Sequence, residues 1–541
     1  MRRFAMVVGS LVFVACHPDP KLQPIALEDE PARPPQIDDG PAQQGPQSGH
    51  RVGNALNGKA VFRDETFGNE GFWSSAARLP EGILAAKLTP LGALRLGLSI
   101  DLDALDWPMR KALTAELNRD FTHGALLNSH ATLLKLLSAN AVIGLVVKDT
   151  NADGRVALDQ GDQVGVSCAL CHSITDSALL DNPTGGSIGR RLDGQATHTI
   201  KVGGLMALAA NTRAFFPMAQ LTRGDGTSIG RAPSSRGLTA VSTEADFDAY
   251  FSNPGLYPPG TFDQTPDGVG NPVPNGPAFR ADLAAPWGSA GELATLDQFS
   301  NAKVTISLDP SVVVTAAGRS YLRATAGAAG DLIADDYAHV LAETGVAAFP
   351  FVHAKPRSGP GQPEGLPALR VDEQKLIDLN GYLNGLEAPM GAVVDSGAAD
   401  RGRELFRTTA GCTACHNVTQ KIPVPAGVVA MKVVFPADAP RTLGHRSAPM
   451  GAVLDTAGTT FDDEMIFVNA SLRGLERGLA LPLLMDLARK PAFLHDGSVA
   501  SLDALLDPAR GPTAPHPFYW ADPVQRSELV RFLQRLDDKR N

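Results

Sequence analysis

Cysteine is scarce in this chain, and its scarcity excludes one way of stabilising a fold. Only five of the 541 residues are cysteines. Four of them stand in two Cys-x-x-Cys-His motifs, which leaves no pair for a structural disulfide. The framework must therefore come from an apolar core and from whatever the two motifs bind.

Positive charge is also in short supply. The chain has 48 Lys and Arg against 58 Asp and Glu, a formal net charge of -10. Because phosphate binding needs a basic surface, we expect no nucleic-acid partner. The length predicts two or more large units. The 54 glycines and 41 prolines predict many loops between modest helices.

The first residues are typical of an export signal. Two arginines precede an apolar run over residues 4–15, which is too short to span a bilayer as a stable helix. The run ends at Cys16, in a segment that resembles a bacterial lipoprotein box. We therefore predict a signal peptide over residues 1–16, a lipid on Cys16 and a periplasmic location, with the membrane contacted only through the lipid. The alternative is plain cleavage nearby, which would discard Cys16.

The two cysteine motifs carry the chemistry. They read Cys168-Ala-Leu-Cys171-His172 and Cys412-Thr-Ala-Cys415-His416. In this signature both cysteines bind haem covalently and the histidine binds its iron. A zinc site would need four nitrogen or sulfur ligands, and a redox disulfide would not need His after each motif. The sequence therefore predicts two covalently bound haem c groups.

The sixth iron ligand decides whether each haem carries electrons or binds a small molecule. For the C-terminal haem we rank His516 first, because it precedes the last predicted helix, and Met450 next. No N-terminal candidate stands out, which favours an open site there, and no catalytic residue can be assigned. The further candidates are His445, Met485 and His495 for the C-terminal haem, and His198, Lys201, Met206 and Met218 for the N-terminal one.

A third motif lies just before the first haem motif. Asp149, Asn151 and Asp153, followed by Gly154, match the first positions of a calcium-binding loop. The closing position holds Gln160 instead of Glu, with Asp159 or Asp162 as substitutes. The alternative is a turn rich in Asp and Asn.

Apolar spacing predicts a mainly α fold with two cytochrome c-like haem domains, long irregular insertions and a few short strands. We place a helix at Ala131–Val147, an irregular region over 181–290, and closing helices at Val371–Leu386 and Val524–Leu536. The predicted units are a disordered Pro-rich tether at 17–58, an N-terminal haem domain at 59–387, a linker at 388–398 and a C-terminal cytochrome c domain at 399–541.

Several of these segments resemble the bacterial dihaem cytochrome c peroxidase superfamily, which includes the enzyme that matures methylamine dehydrogenase and the rubber oxygenases. The resemblance rests on the two haem motifs, Gly402-x-x-Leu-Phe406, Phe493–Val499 and Ile188–Gly194, about a third of the chain. It implies a catalytic or oxygen-binding haem at His172 and an electron-transfer haem at His416. The rubber oxygenases have two histidine ligands at the latter haem, which agrees with His516.

The function expected from this resemblance is a periplasmic dihaem oxidoreductase. It would reduce peroxide at the N-terminal haem with electrons that enter through the C-terminal one. The distal Gln and Glu of ordinary peroxidases have no evident match after Asp193-Gly194, so two alternatives stay open. These are a non-enzymatic dihaem electron-transfer protein and an oxygen-activating oxygenase of the rubber oxygenase type. The expected partners are a small cytochrome or cupredoxin as electron donor or acceptor, and peroxide, oxygen or an organic small molecule.

Overall fold

The computed structural model describes most of the chain from Gly53 onwards. The described residues are 53–119, 123–222, 237–268, 270, 272–281, 287–288, 293, 295–326, 329–356, 368–416, 428–430, 478–480, 482–494, 497, 499–512 and 514–537. Five predicted features lie outside them: the signal peptide with Cys16, most of the tether, and the candidate ligands Met450, His445 and His495.

The described part is mainly α-helical, as predicted. The α-helices are α1 (Ala55–Asp64), α2 (Asn69–Gly71), α3 (Leu79–Ala85), α4 (Pro90–Arg95), α5 (Trp107–Leu117), α6 (His130–Ser138), α7 (Ala169–His172), α8 (Val202–Leu208), α9 (Glu244–Ser252), α10 (Leu296–Ala302), α11 (Ala316–Ala326), α12 (Ala329–Glu343), α13 (Glu373–Gly385), α14 (Ser396–Arg407), α15 (Leu502–Leu505) and α16 (Pro523–Arg535).

The strands are short and pair two by two. They are β1 (Ile100–Asp101), β2 (Leu145–Lys148), β3 (Gln163–Val166), β4 (Ser173–Thr175), β5 (Ile188–Gly189), β6 (Arg191–Asp193), β7 (Thr261–Phe262), β8 (Val273–Pro274), β9 (Lys355–Pro356), β10 (Leu369–Arg370), β11 (Val428–Ala430) and β12 (Gly478–Ala480). β1 and β5 are parallel, and the other five pairs are antiparallel.

Four helices that form two crossings each begin at an Asn or Asp cap. The cap side chain accepts hydrogen bonds from backbone N–H groups of the first turn, which otherwise have no partner. Asn54 caps α1 and Asp372 caps α13. Asp395 caps α14 and Asp522 caps α16. The local sequence therefore fixes where each of these helices starts.

The first crossing joins α1 to α13. Gly58 lies so close to α13 that a Cβ atom built on it would stand 1.9 Å from the backbone oxygen of Asp378. One turn further along, the rings of Phe62 and Tyr382 meet edge to face with centroids 5.6 Å apart. A glycine and an aromatic pair thus fix the approach of the two helices.

The second crossing joins α14 to α16 with the same devices at the same spacing. A Cβ atom on Gly402 would stand 2.0 Å from the backbone oxygen of Glu528. Phe406 and Phe532 meet edge to face at 5.4 Å. In each crossing, one ring of the aromatic pair stands four residues after the glycine. The other ring stands four residues after the residue that faces the glycine. The chain therefore contains two units, each built on a helix crossing of the same kind.

Each crossing has its own apolar core. One cluster around α1 and α13 includes Leu376 and Leu379 and reaches Cys168. Another around α14 and α16 includes Phe532 and reaches Cys412. A third and larger cluster is built from residues between α2 and α12 and reaches Cys171. The N-terminal unit therefore holds a large body of inserted structure beside its crossing.

Four predicted boundaries need correction. The helix expected over Ala131–Val147 ends at Ser138, because Asn140 and Gly144 take positive φ angles and turn the chain into strand β2. The irregular region over 181–290 contains α8 and α9. Order begins before residue 59, since α1 starts at Ala55. The last three linker residues, 396–398, are helical and belong to α14.

Candidate functional site

The N-terminal haem motif occupies a short turn between two strands. Strand β3 precedes it, the motif histidine ends α7, and β4 follows at once and pairs with β6. The carbonyl oxygen of Cys171 accepts a hydrogen bond from Thr197, and that of His172 accepts one from Gly194. The backbone of the motif is therefore held from both sides.

Both cysteines of this motif are partly accessible free thiols. Desolvation raises the pKa of Cys168 to about 11 and that of Cys171 to about 12. A redox-active Cys-x-x-Cys needs a lowered thiol pKa, since the thiolate is the nucleophile. Both thiols of this pair are therefore protonated at neutral pH, which disfavours a redox-active disulfide.

His172 is oriented as a metal-binding imidazole would be. Its Nδ1 lies 2.9 Å from the carbonyl oxygen of Gly276. A carbonyl can only accept, so Nδ1 carries the proton and Nε2 keeps its lone pair. Desolvation and the nearby Lys303 lower the pKa of His172 to about 4, despite the opposing hydrogen bond to Gly276. The ring is therefore neutral at neutral pH.

Three side chains around this site were not assigned a place there from the sequence. Lys303 begins a π-helical turn, Lys303–Ser307, of a kind often found at functional sites. Phe299 and Trp287 pack against the same apolar cluster as Cys168. The buried Trp287 Nε1 donor has no partner among the described residues. An apolar cluster with an unused donor among the described residues would suit a haem and one of its carboxylates.

The C-terminal motif opens on a left-handed glycine, Gly411, with φ 64°. A 3₁₀ turn over Cys412–Ala414 follows, and the N–H of His416 donates to the Cys412 carbonyl oxygen at 2.9 Å. All three reactive side chains are partly buried. Desolvation raises the pKa of Cys412 and lowers that of His416, so a protonated thiol again stands beside a neutral imidazole.

His516 faces His416, which agrees with its place as first candidate. The ring centroids are 6.3 Å apart and the ring planes are inclined by 46°. Two metal–nitrogen bonds of about 2 Å and two ring radii of roughly 1 Å sum to about 6 Å, the separation expected for imidazoles that share one metal ion. Both Nδ1 atoms are buried without a partner among the described residues. The pair fits a haem iron with two histidine ligands.

The backbone at His516 is held in an uncommon conformation. Its φ is 55°, in the left-handed region that costs a non-glycine residue free energy. Arg510 donates to the carbonyl oxygen of Pro515 at 2.6 Å, and the Phe518 ring packs edge to face on the imidazole at 5.1 Å. Desolvation, then His416 and Arg510, lower the pKa of His516 to about 4. The surrounding loop therefore fixes a neutral ring.

Four of the other described candidates make contacts elsewhere. Met485 is buried against Phe279, a residue of the N-terminal unit. Lys201 donates to the Arg95 carbonyl oxygen at 2.8 Å. Met206 and Met218 lie in the largest apolar cluster. Among the described residues, no aromatic or imidazole ring packs on His172 as His516 does on His416.

Asp193 joins four elements of the N-terminal unit. Its carboxylate, 2% exposed, accepts from Arg63 at 2.6 Å, from Tyr382 at 2.7 Å and from Ser173 at 2.8 Å. Ser173 directly follows His172. The segment Ile188–Gly194 drew attention to this position, but its partners come from α1, α13 and β4 and could not be predicted from sequence spacing.

The predicted calcium loop folds as a series of Asp and Asn turns. Asp149 accepts from Gly154, Asn151 accepts from Asp153, and Asp153 accepts from Arg155. Both carboxylate oxygens of Asp162 accept backbone N–H groups. In the described part of the chain, no three His, Cys, Asp or Glu side chains come together as a metal site. Calcium binding stays a prediction.

None of the helices in the described ranges has the length and apolar character needed to cross a membrane.

Comparison with known proteins adds little. No protein-family model matches the chain, and no curated protein matches its sequence. Among solved structures, hydrazine synthase from Kuenenia stuttgartiensis aligns at 14% identity with a TM-score of 0.20. The alignment covers 31% of this chain and 57% of that one, so the chain spans little more than half of the protein it matches. A similarity this low does not establish a shared fold or function.

Proposed function

We propose that this chain is a periplasmic dihaem c-type cytochrome oxidoreductase that reduces peroxide. The haem of Cys168, Cys171 and His172 would be the site of peroxide reduction. The haem of Cys412, Cys415 and His416 would receive electrons from a small cytochrome or cupredoxin. When bound, each haem supplies an iron that changes oxidation state.

One observation carries the proposal, and it is the difference between the two units. In the C-terminal unit, His516 faces the motif histidine at 6.3 Å between ring centroids. His516 stands 16 residues before Phe532 of the closing helix. In the N-terminal unit no aromatic or imidazole ring among the described residues packs on His172, and the sequence 357–368 before Tyr382 holds no His, Met, Lys or Cys. An electron carrier needs two strong ligands, whereas a site that binds a small molecule needs an open position.

The residues of the N-terminal unit have defined tasks under this proposal. Gly276 accepts the Nδ1 proton of His172, which would leave Nε2 free to bind the haem iron. The apolar cluster that contains Phe299 excludes water. Lys303, whose positive charge already lowers the pKa of His172, would favour an anionic group nearby.

The experiment is an electron paramagnetic resonance spectrum of the oxidised protein, followed by peroxide turnover with a reduced small cytochrome. We expect one high-spin and one low-spin signal, and turnover well above that of free haem. His516→Ala should convert the low-spin signal to high-spin and leave the other unchanged. His339→Ala, at an exposed helix position paired with Glu343, is the matched control and should change neither signal.

Three other results would contradict the proposal in different ways. Two low-spin signals, with no binding of cyanide or carbon monoxide to either haem, would indicate a non-enzymatic carrier. Turnover no faster than free haem, together with a visible spectrum that responds to dissolved oxygen, would indicate an oxygenase. Absence of covalently bound haem would contradict the peroxidase, the electron carrier and the oxygenase hypotheses alike.

A further inference from the structure

A five-residue strap, Gly276–Arg280, connects the metal-binding imidazole of the N-terminal unit to the C-terminal unit. At one end the Gly276 carbonyl oxygen accepts the Nδ1 proton of His172 at 2.9 Å. Three residues later Phe279, 2% exposed, packs against Met485, 7% exposed. Met485 belongs to the C-terminal unit.

The strap is held at two further points by backbone hydrogen bonds. The N–H of Ala278 donates to the Gly194 carbonyl oxygen at 2.8 Å, and the N–H of Arg280 donates to the Leu386 carbonyl oxygen at 2.9 Å. Gly194 in turn donates to the carbonyl oxygen of His172 at 2.8 Å. The strap and the motif therefore share one anchoring residue.

The packing at this anchor is tight. Gly194 has φ 88°, and a Cβ atom built on it would stand 3.2 Å from the Leu386 side chain and 3.3 Å from Phe279. Leu386 itself lies beside the Phe279–Met485 contact. Because a close-packed contact transmits strain, the position of Phe279 limits the position of the Gly276 carbonyl.

The positive charges of the same C-terminal segment also act on a residue next to the motif. His198 follows Thr197, whose N–H donates to the Cys171 carbonyl oxygen. Desolvation, then the charges of Arg489 and Lys490, lower the pKa of His198 to about 4. The same C-terminal segment therefore packs on the strap through Met485 and acts by its charges on a residue beside the haem motif.

We propose that Met485 is a positioning residue for His172. Through Phe279 it holds the Gly276 carbonyl against Nδ1, so the C-terminal unit sets the strength with which the N-terminal imidazole binds its metal. This rests on the proposed function in one respect: the metal is the iron of the N-terminal haem. A stronger Nδ1 hydrogen bond makes the imidazole a stronger electron donor and stabilises the oxidised metal.

The test compares three variants of the holoprotein. Met485→Ala removes the contact, Met485→Leu keeps its volume, and Met206→Ala removes a buried methionine from the main core, away from the strap. The readouts are the reduction potential of each haem and the iron–histidine stretching frequency of the reduced protein. That stretch is seen for an iron with one histidine ligand, so it selects the N-terminal haem.

We expect Met485→Ala to raise the N-terminal potential, with roughly a tenfold or smaller change in the equilibrium constant for reduction, and to lower the iron–histidine frequency. The C-terminal potential should stay constant, and Met485→Leu and Met206→Ala should match the unchanged protein. If Met485→Ala does not fold, Phe279→Leu tests the same contact.

Unchanged N-terminal values in the folded Met485→Ala or Phe279→Leu protein would overturn the proposal. Equal shifts in the Met206→Ala protein would also overturn it, since general loosening would then explain the effect. Failure of the proposed function looks different: no covalent haem, or no iron–histidine band in the unchanged protein. In that case the Nδ1 proton resonance of nitrogen-15-labelled His172 still reports on the strap in the same variants.

Discussion

The backbones of Gly402 and Glu528 meet where α14 crosses α16, and a Cβ atom built on the glycine would stand only 2.0 Å from the Glu528 carbonyl oxygen. The backbones of Gly58 and Asp378 meet in the same way where α1 crosses α13, and the corresponding distance to the Asp378 carbonyl oxygen is 1.9 Å. The obstacle in both cases is a helix carbonyl oxygen, which cannot move aside as a flexible side chain can. Each unit therefore depends on one glycine for its helix crossing.

Substitution of either glycine by alanine should destabilise its own unit. We expect Gly402→Ala and Gly58→Ala to lower the free energy of unfolding by ~3 kcal/mol or more, because the helices must separate. Gly385→Ala is the control: this glycine ends α13 with nothing within 4 Å of its Cβ position, and alanine there should be neutral or stabilising by about 0.4–1 kcal/mol. Urea unfolding followed by circular dichroism measures all three. Equal effects at Gly385 and Gly402 would contradict the close approach.

The sequence predicted the two closing helices because their apolar spacing is a local feature. Leu376, Leu379 and Leu383 repeat at helical intervals, and all three are buried. The motif Gly402-x-x-Leu-Phe406 was recognised, but its counterpart Gly58-x-x-Val-Phe62 was not. In the first unit 105 residues separate Phe62 from Cys168, against five between Phe406 and Cys412. Because of that insertion, the repeat cannot be found by looking for a fixed distance between the Gly-x-x-x-Phe segment and the haem motif.

The sequence singled out His516 because it stands just before a predicted helix, and the structure places its ring beside that of His416. Its role as an iron ligand stays a prediction. Gly276 was not singled out, because its contribution to the site is a backbone carbonyl, which any residue type supplies. Met485 was expected near the C-terminal haem by sequence distance, yet its side chain packs on Phe279. Tertiary contacts between residues roughly 200 positions apart produce no periodic pattern in a single sequence, so they cannot be predicted from spacing.

The Asp193 network should be worth far more than an ion pair on the surface. Asp193→Ala leaves Arg63 and the Tyr382 hydroxyl without their acceptor, and we expect a loss of about 3–5 kcal/mol in the free energy of unfolding. Tyr382→Phe removes one hydrogen bond and keeps the ring contact with Phe62, so about 1 kcal/mol should be lost. Phe532 already holds the equivalent place in the second unit without a hydroxyl.

The matched control for this series is Asp335→Ala. Asp335 pairs with Arg319 at 2.7 Å, but its side chain is 65% exposed. Solvent screens such a pair, and its removal should change stability by less than about 1 kcal/mol. Thermal unfolding of the variants at neutral pH gives the comparison. A loss at Asp193 no larger than that at Asp335 would show that the network is not a structural anchor.

His198 predicts a pH dependence of stability. Its pKa is lowered from 6.5 to about 4 in the folded chain, chiefly by desolvation. Between these values the unfolded chain binds the proton and the folded chain does not, so stability rises with pH. The contribution is complete above pH 6.5 and is lost as pH falls towards 4.

The variant His198→Gln isolates this contribution. Gln is uncharged at every pH, so the variant should lose less stability than the unchanged protein between pH 6.5 and 4. Subtracting the unfolding free energies of the two proteins at each pH removes the contribution of the other histidines. His339→Gln, at an exposed position, should keep the full dependence. Urea unfolding at five pH values across this window provides the measurement. Parallel curves for the His198→Gln and unchanged proteins would show that His198 titrates alike in both states.

Calcium binding by the loop after β2 is the remaining prediction, and the fold makes it measurable. The turn hydrogen bonds of Asp149, Asn151 and Asp153 each use one side-chain oxygen. The second carboxylate oxygens of both aspartates stay available for a hard cation. We expect bound calcium after dialysis, and a higher melting temperature in calcium than in a chelator. Asp149→Asn with Asp153→Asn should abolish both effects, whereas Asp335→Asn should abolish neither. Calcium-free protein with an unchanged melting temperature would mean that Asp162, which accepts N–H groups from Thr150 and Ala157, closes this loop without a metal.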